Sequence, residues 1–247
     1  MPDCVQPLFL NLSAYRFVAL DDLPARRERL QAAGAALGLR GTILLAPEGI
    51  NLFASGPQGA VESLLRLLDD DPPLAGLQPR RTWSERIAFD RWRVRLKREI
   101  ITLRQPSIRP REGRAPAVAP ATLDRWLEQG RDDEGREVVM VDTRNGYEIE
   151  AGSFGGAIDP GLRSFSEFPA AMEPLRERLA GKRVVTFCTG GIRCEKAAIW
   201  MELAGFENVV QLEGGILGYF ETVGARHWQG SLFVFDKRGT LAPQEHR

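Results

Sequence analysis

Residues 184–198 (VVTFCTGGIRCEKAA) restrict the fold more than any other part of the chain. Val184-Val185-Thr186-Phe187 is a short, β-branched apolar run of the kind that forms a fully buried strand. It ends on Cys188. Thr189-Gly190-Gly191 follow, and beyond Arg193 the pattern turns helical, which predicts a helix over 195–203. Strand, tight glycine loop and helix N-terminus in that order belong to α/β proteins. Open α/β sheets place their reacting groups at the carboxyl ends of strands. Gly190 and Gly191 have no Cβ, so the backbone there is free to take φ > 0 and turn successive N–H groups inward. Such a nest, backed by a helix N-terminus, stabilises an anion. A thiol held in it is expected to ionise below the free-cysteine pKa of about 8.5. Cys188 is therefore the expected catalytic residue, acting as a thiolate or as the carrier of an anionic sulfur adduct. The competing expectation is an inert cysteine closing a strand.

Thr189, Gly190, Gly191, Ile192 and Arg193 form the expected anion cradle. Arg193 has two readings, as an anion ligand or as the partner of a local carboxylate. Cys194 falls in the first helical turn, where it is either a resolving thiol for an oxidised Cys188 or a small packing residue. Asp142 and Arg144 follow the buried run Val138–Val141 and so lie at another strand's carboxyl edge. Asp142 is also a candidate cap for the next helix, and Glu148 is a candidate to reach the site.

Cys188 to Arg193 resembles the six-residue active loop of rhodanese-like domains. Cysteine phosphatases use Cys-x5-Arg, one residue longer, so a phosphatase is disfavoured. The longer string CTGGIRCEKA resembles the rhodanese-like tRNA uridine hydroxylases, which form 5-hydroxyuridine at the wobble position. Residues 43–51 (ILLAPEGIN), 141–148 (VDTRNGYE), 155–158 (GGAI), 211–216 (QLEGGI) and 233–236 (FVFD) agree with that family, from about residue 8 to about residue 238. The resemblance implies an oxidoreductase of tRNA, with the anticodon region as partner and Asp142 and Arg144 bracing the active loop. It also implies substrate contact by Glu48 and Asn51, although Gly49 and Asn51 suit a simple turn. After Asn51 the family pattern breaks, with Leu52-Phe53 in place of Gly-Thr. Many members continue past 233–236 into a cysteine-rich tail, whereas this sequence ends at Arg247. The loop alone equally suits a thiosulfate-type sulfurtransferase or persulfide carrier. A third class is a non-catalytic RNA-binding module.

The charge distribution bears on the partner. Net charge is zero, with 33 basic and 33 acidic residues. From Arg80 to Arg114 there are twelve Lys/Arg and four Asp/Glu, a local +8 that the rest of the chain balances. A basic segment on a neutral protein predicts an anionic partner on one face. Arg93, Arg95 and Lys97 alternate with Trp92, Val94 and Leu96, and are candidate substrate contacts. Trp83, Phe89 and Trp92 are candidates to stack on bases or to enter the core.

At 247 residues, 43% hydrophobic, the chain has room for two ordinary domains. Residues 1–104 read as strand, helix, strand, strand, helix, strand, which fits a ferredoxin-like split β-α-β domain. The strands are expected at 8–20, 41–46, 50–54, 80–89 and 92–97. Pro106, Pro110, Pro116 and Pro120 predict an irregular linker over 105–120. Residues 121–225 read as a rhodanese-like parallel α/β domain, with 226–247 as a C-terminal extension. Three cysteines, Cys4 without an assigned role among them, are too few for a disulfide framework. With no signal-peptide pattern and no apolar run near 20 residues, a cytoplasmic protein off the membrane is expected. His227 and His246 are the only histidines, so no metal site is expected. No phosphate-loop or dinucleotide motif occurs, so no cofactor is expected either. No stable protein partner is inferred.

Overall fold

A computed structural model describes residues 8–242. Cys4, His246 and the N-terminal stretch searched for a signal peptide lie outside the described residues. The chain divides into two compact units, with the boundary between Ile101 and Thr102.

The first unit runs β1 (Phe9–Phe17), α1 (Leu23–Ala36), β2 (Arg40–Ala46), β3 (Gly49–Gly56), α2 (Gln58–Asp69), β4 (Arg80–Ser84) and β5 (Trp92–Leu96). Its sheet has the order β4-β1-β3-β2-β5. The first four strands are antiparallel and form the split β-α-β sheet; β5 adds an edge strand parallel to β2. Alternation decides the faces, because successive strand residues point to opposite sides. Leu10, Leu12, Ile43, Leu45, Ile50 and Leu52 pack with Leu30 of α1 and Val61, Leu64 and Leu68 of α2 into one core. Each such buried side chain contributes about 1.5–3 kcal/mol of transfer free energy. Trp92 and Val94 join this core, and the Trp92 indole N–H donates to the Leu30 carbonyl at 3.1 Å. Trp92 is thus core rather than a stacking platform.

The second unit opens with β6 (Ala117–Val118) and α3 (Pro120–Gln129). The sequence reads 105–120 as irregular throughout. Ala117 and Val118 instead pair in parallel with β10 (Val209–Leu212), since Pro116 and Pro120 flank this two-residue edge strand rather than interrupt it. Then come β7 (Val138–Asp142), α4 (Gly146–Ile149), β8 (Gly152–Phe154), α5 (Phe168–Met172), α6 (Arg176–Leu179), β9 (Arg183–Phe187), α7 (Ile192–Leu203), β10 and α8 (Gly215–Val223). Strands β6-β10-β9-β7 form an all-parallel sheet. Neighbouring Val184 and Val185 point to opposite faces and both are fully buried, so both faces are covered. Val185, Phe187, Val210 and Leu212 pack with Leu123 and Trp126 of α3 and Ile216, Tyr219 and Phe220 of α8.

Residues 226–242, from the segment the sequence sets apart as an extension, pack within this unit. β11 (Trp228–Gly230) pairs antiparallel with β8, and β12 (Leu232–Phe233) pairs with β13 (Thr240–Leu241). Leu232 is fully buried in the same core. Two expected boundaries shift. The strand expected at 80–89 stops at Ser84, where the Ser84 hydroxyl turns to donate to the Arg86 carbonyl. The helix expected from 195 starts at Ile192, which places Arg193 and Cys194 inside its first turn.

Candidate active site

Cys188 is the first residue after β9, at the carboxyl edge of the parallel sheet. Its Sγ accepts a hydrogen bond from the Gly191 amide at 3.2 Å and one from the Cys194 thiol at 3.3 Å. Of the two glycines expected to curl the loop, only Gly191 takes a left-handed conformation (φ 103°). One such residue suffices, because it is the position from which α7 departs. A Cβ on Gly190 would meet only open space.

Burial by itself pushes the Cys188 thiol upward. The Cys194 hydrogen bond, the Arg193 charge and the amides of Arg193 and Cys194 outweigh it and lower the pKa from 9.0 to about 5. Cys188 is therefore a thiolate at neutral pH. Cys194 moves the other way: burial raises it, and its position as donor beside the Cys188 anion raises it further, so it stays protonated. Two buried thiols in contact thus hold one negative charge and one proton.

Three supports fix the loop. First, the amide and hydroxyl of Thr143 both donate to the Phe187 carbonyl at 2.9 Å, tying the end of β7 to the residue before the nucleophile. Second, the N-terminus of α8 holds the loop's carbonyls: Ile216 N–H donates to Cys188 O at 2.9 Å and Leu217 N–H to Thr189 O at 3.1 Å. With those carbonyls bound outward, the amides of Gly191, Arg193 and Cys194 are the ones that reach the sulfur. The approach requires Gly215, at φ 63°, because a Cβ there would lie 2.4 Å from Cys188 O. Third, Arg193 is held by Glu148 through bonds of 2.6 and 2.7 Å, with Glu148 fully buried. Of the two readings of Arg193, the structure shows the carboxylate pair, with the Cys188 sulfur as a second neighbour. Glu148 also accepts from the Asn145 amide, closing a capping box on the single turn of α4.

Behind this pair lies a second. Arg144 donates to both oxygens of Asp142 (2.6 Å at the shortest) and to the carbonyls of Gly152 and Glu148, and its guanidinium sits 5.3 Å from the centre of the Trp228 ring. Asp142 also accepts from Ser153 at 2.8 Å. Asp142 is thus the anchor of Arg144 rather than a helix cap. Outside the cradle, the Phe235 ring lies 5.9 Å from the Arg193 guanidinium. The Thr189 hydroxyl oxygen is enclosed and makes no hydrogen bond.

The remaining candidates sit in the first unit. Glu48 Oε1 accepts from the Ile100 amide at 2.7 Å, and the Asn51 side chain donates to the Ile100 carbonyl at 3.4 Å. Both bond to the backbone of one residue, Glu48 at its N–H and Asn51 at its C=O. Arg93, Arg95 and Lys97 are exposed, the two arginines along edge strand β5. Among the described residues no group of three or more His, Cys, Asp or Glu is arranged to hold a metal ion. No helix there is long and apolar enough to cross a membrane.

The sequence reading leaves Gly215 and Phe235 without a role. Both fall inside segments it singles out, 211–216 and 233–236, but their function depends on contacts with residues 24 or more positions away.

A cysteine closing a parallel strand, a tight loop and a helix N-terminus define a rhodanese-type thiol site. Family models agree. A UPF0176 acylphosphatase-like domain matches residues 9–100, and a rhodanese-like domain matches residues 120–222. The chain is 58% identical over 229 residues to a protein of Thiobacillus denitrificans named tRNA uridine(34) hydroxylase, covering 93% of this chain and 92% of that one. It is 57% identical to one of that name from Variovorax paradoxus (95% and 89% covered), and 53% identical to one from Bordetella petrii (96% and 94%). The chain belongs to the tRNA uridine(34) hydroxylase family.

Proposed function

We propose that this protein hydroxylates C5 of uridine 34 in tRNA, in the cytoplasm, with Cys188 as nucleophile. The observation that carries the reading is the Cys188 sulfur, kept anionic at neutral pH by the Gly191 amide, the Cys194 thiol and Arg193. A thiolate adds to C6 of a uracil, forming a C–S bond and moving the ring electrons onto C5 as an enolate. C5 then takes an oxygen atom from an electrophilic oxygen donor, such as a peroxide, which is the second substrate and accepts the two electrons. Loss of the C5 proton and expulsion of the thiolate restore the ring. The base must leave its stack to reach the sulfur. Cys188 has no exposed surface, so the side chains at the mouth open as the base enters. The closed state shields a low-pKa thiolate from adventitious oxidation.

Cys194 argues against the sulfur-carrier alternative. A persulfide on Cys188 would have a thiol beside it, and attack by Cys194 would release hydrosulfide and leave a disulfide.

The anticodon arm is positioned, on this reading, by its phosphates on Arg93, Arg95 and Lys97. Glu48 and Asn51 act as supports of the Ile100 backbone. The test is nucleoside analysis of tRNA made in a strain lacking parallel pathways, together with binding of purified protein to tRNA. Cys188→Ser is expected to abolish 5-hydroxyuridine and its derivatives while tRNA binding persists. Alanine at Arg93, Arg95 or Lys97 should weaken binding and lower the slope of log K against log salt by about 1 each. Unchanged 5-hydroxyuridine in the Cys188→Ser strain removes the enzymatic reading. An unchanged salt slope removes only the phosphate path.

A further inference from the structure

Residues 232–241 form a hairpin whose two faces differ. Leu232 and Val234 are buried, so by alternation Phe233 and Phe235 project the other way. The turn is built rather than loose: Val234 N–H donates to Gly239 O at 2.9 Å, and Arg238 pairs with Asp236. On the projecting face Phe233 meets Tyr147 edge-on at 5.4 Å, and Phe235 meets Phe233 edge-on at 5.3 Å. Phe235 in turn lies over Arg193, whose other neighbours are Glu148 and Cys188. Tyr147 is 48% exposed and Phe235 47%, whereas Cys188 is sealed. Two large rings are thus held in water beside a closed reacting centre. Core packing does not explain that, since it would bury them.

We propose that Tyr147, Phe233 and Phe235 form a base-stacking rim that holds the nucleobase next to the reacting uridine in the RNA chain. The uracil enters the cradle and its neighbour stays outside, at the depth of the rim. Aromatic faces accept any base by stacking. This rests on the tRNA reading above, but its test does not depend on turnover.

The experiment measures the dissociation constant of an anticodon stem–loop RNA for Phe235→Leu and Tyr147→Leu, which keep apolar bulk and lose the ring face, and for Phe235→Trp, which keeps it. Cys188 ionisation is followed in each by ultraviolet thiolate absorbance. Each leucine variant is expected to weaken binding by about 5- to 150-fold, with Phe235→Trp within about twofold of the parent and the Cys188 pKa unmoved. The rim is overturned if Tyr147→Leu and Phe235→Leu both bind within about twofold of the parent, or if weakened binding always comes with a displaced Cys188 pKa. In the latter case the rings act through Arg193 and not on RNA. Hydroxylation by Cys188→Ser, scored separately, removes the enzymatic reading and leaves the binding result standing.

Discussion

Two buried arginines in the second unit invite comparison. Arg144 and Arg193 each grip a carboxylate with two nitrogens, each lies near an aromatic ring of the C-terminal segment, and Glu148 touches both. They differ in what else is anionic nearby. Arg144 has Asp142 alone, and its remaining donors go to the backbone carbonyls of Gly152 and Glu148. Arg193 has Glu148 and, at neutral pH, the Cys188 thiolate. One guanidinium is therefore a fixed brace between β7, α4 and β8. The other shares its charge between a structural partner and a reacting atom. The same chemical pair serves as scaffold in one place and tunes a nucleophile in the other.

The sharpest test of the scaffold is Asp142→Asn. It leaves a guanidinium with no exposed surface and no counter-charge, the situation in which removing one partner of a buried pair costs about 3–5 kcal/mol. The expected result is a loss of that size in chemical denaturation monitored within the second unit, with hydroxylation lost in parallel. A cost below about 1 kcal/mol, the range of exposed pairs, would show that Arg144 is not a brace.

Glu148→Gln is expected to cost less at neutral pH, about 1.5–3 kcal/mol, because Arg193 keeps the thiolate as an anionic partner. The difference between the two variants should shrink as pH falls below about 5, towards the lower pKa that Cys188 takes in the Glu148→Gln variant, where the sulfur is protonated and Arg193 loses that second partner. The sulfur should respond as well. With Glu148 neutral, the Arg193 charge falls more fully on Cys188, and its pKa drops below about 5. A thiolate of lower pKa is a weaker nucleophile, so turnover falls although ionisation is more complete. A rise in the Cys188 pKa in this variant would break the comparison, since it would make Glu148 a necessary part of the anion cradle.

These contrasts mark where sequence reasoning succeeds and stops. The apolar runs 184–187 and 138–141, the alternation of Trp92 and Val94, and the strand–loop–helix around Cys188 are local patterns that the structure reproduces as elements, although Val138 and Val139 are only half-buried, Leu96 at the end of the alternation is exposed, and the helix starts three residues early. The partner of Arg193 was not legible, because Glu148 and Arg193 are 45 residues apart and meet only through the topology of the parallel sheet. The two-residue strand β6 was hidden by its flanking prolines, and β8 and β11 to β13 are too short to leave a periodic signal. Glu48 and Asn51 are a different case. The family resemblance implies substrate contact for them, and what the structure adds is a hydrogen bond between each side chain and the backbone of Ile100, about 50 residues away, which no local turn pattern reveals.

The smallest expected effect separates two roles of Cys194. If it serves as the hydrogen-bond donor seen here, Cys194→Ala removes a bond to a charged sulfur, worth about 1.5–3 kcal/mol, and raises the Cys188 pKa by about 1–2. The sign follows from the depressed starting value: the thiolate persists above the new pKa and is lost below it. Activity at pH 8 should therefore stay near the parent while activity at pH 6 falls. Cys194→Ser restores a donor of similar reach and should return the pKa towards about 5. A serine cannot form a disulfide. Serine that restores both the pKa and turnover leaves Cys194 as a proton donor only. Serine that restores the pKa without turnover shows that the second thiol closes on an oxidised Cys188, expelling water from the sulfenic acid as the Cys188–Cys194 bond forms.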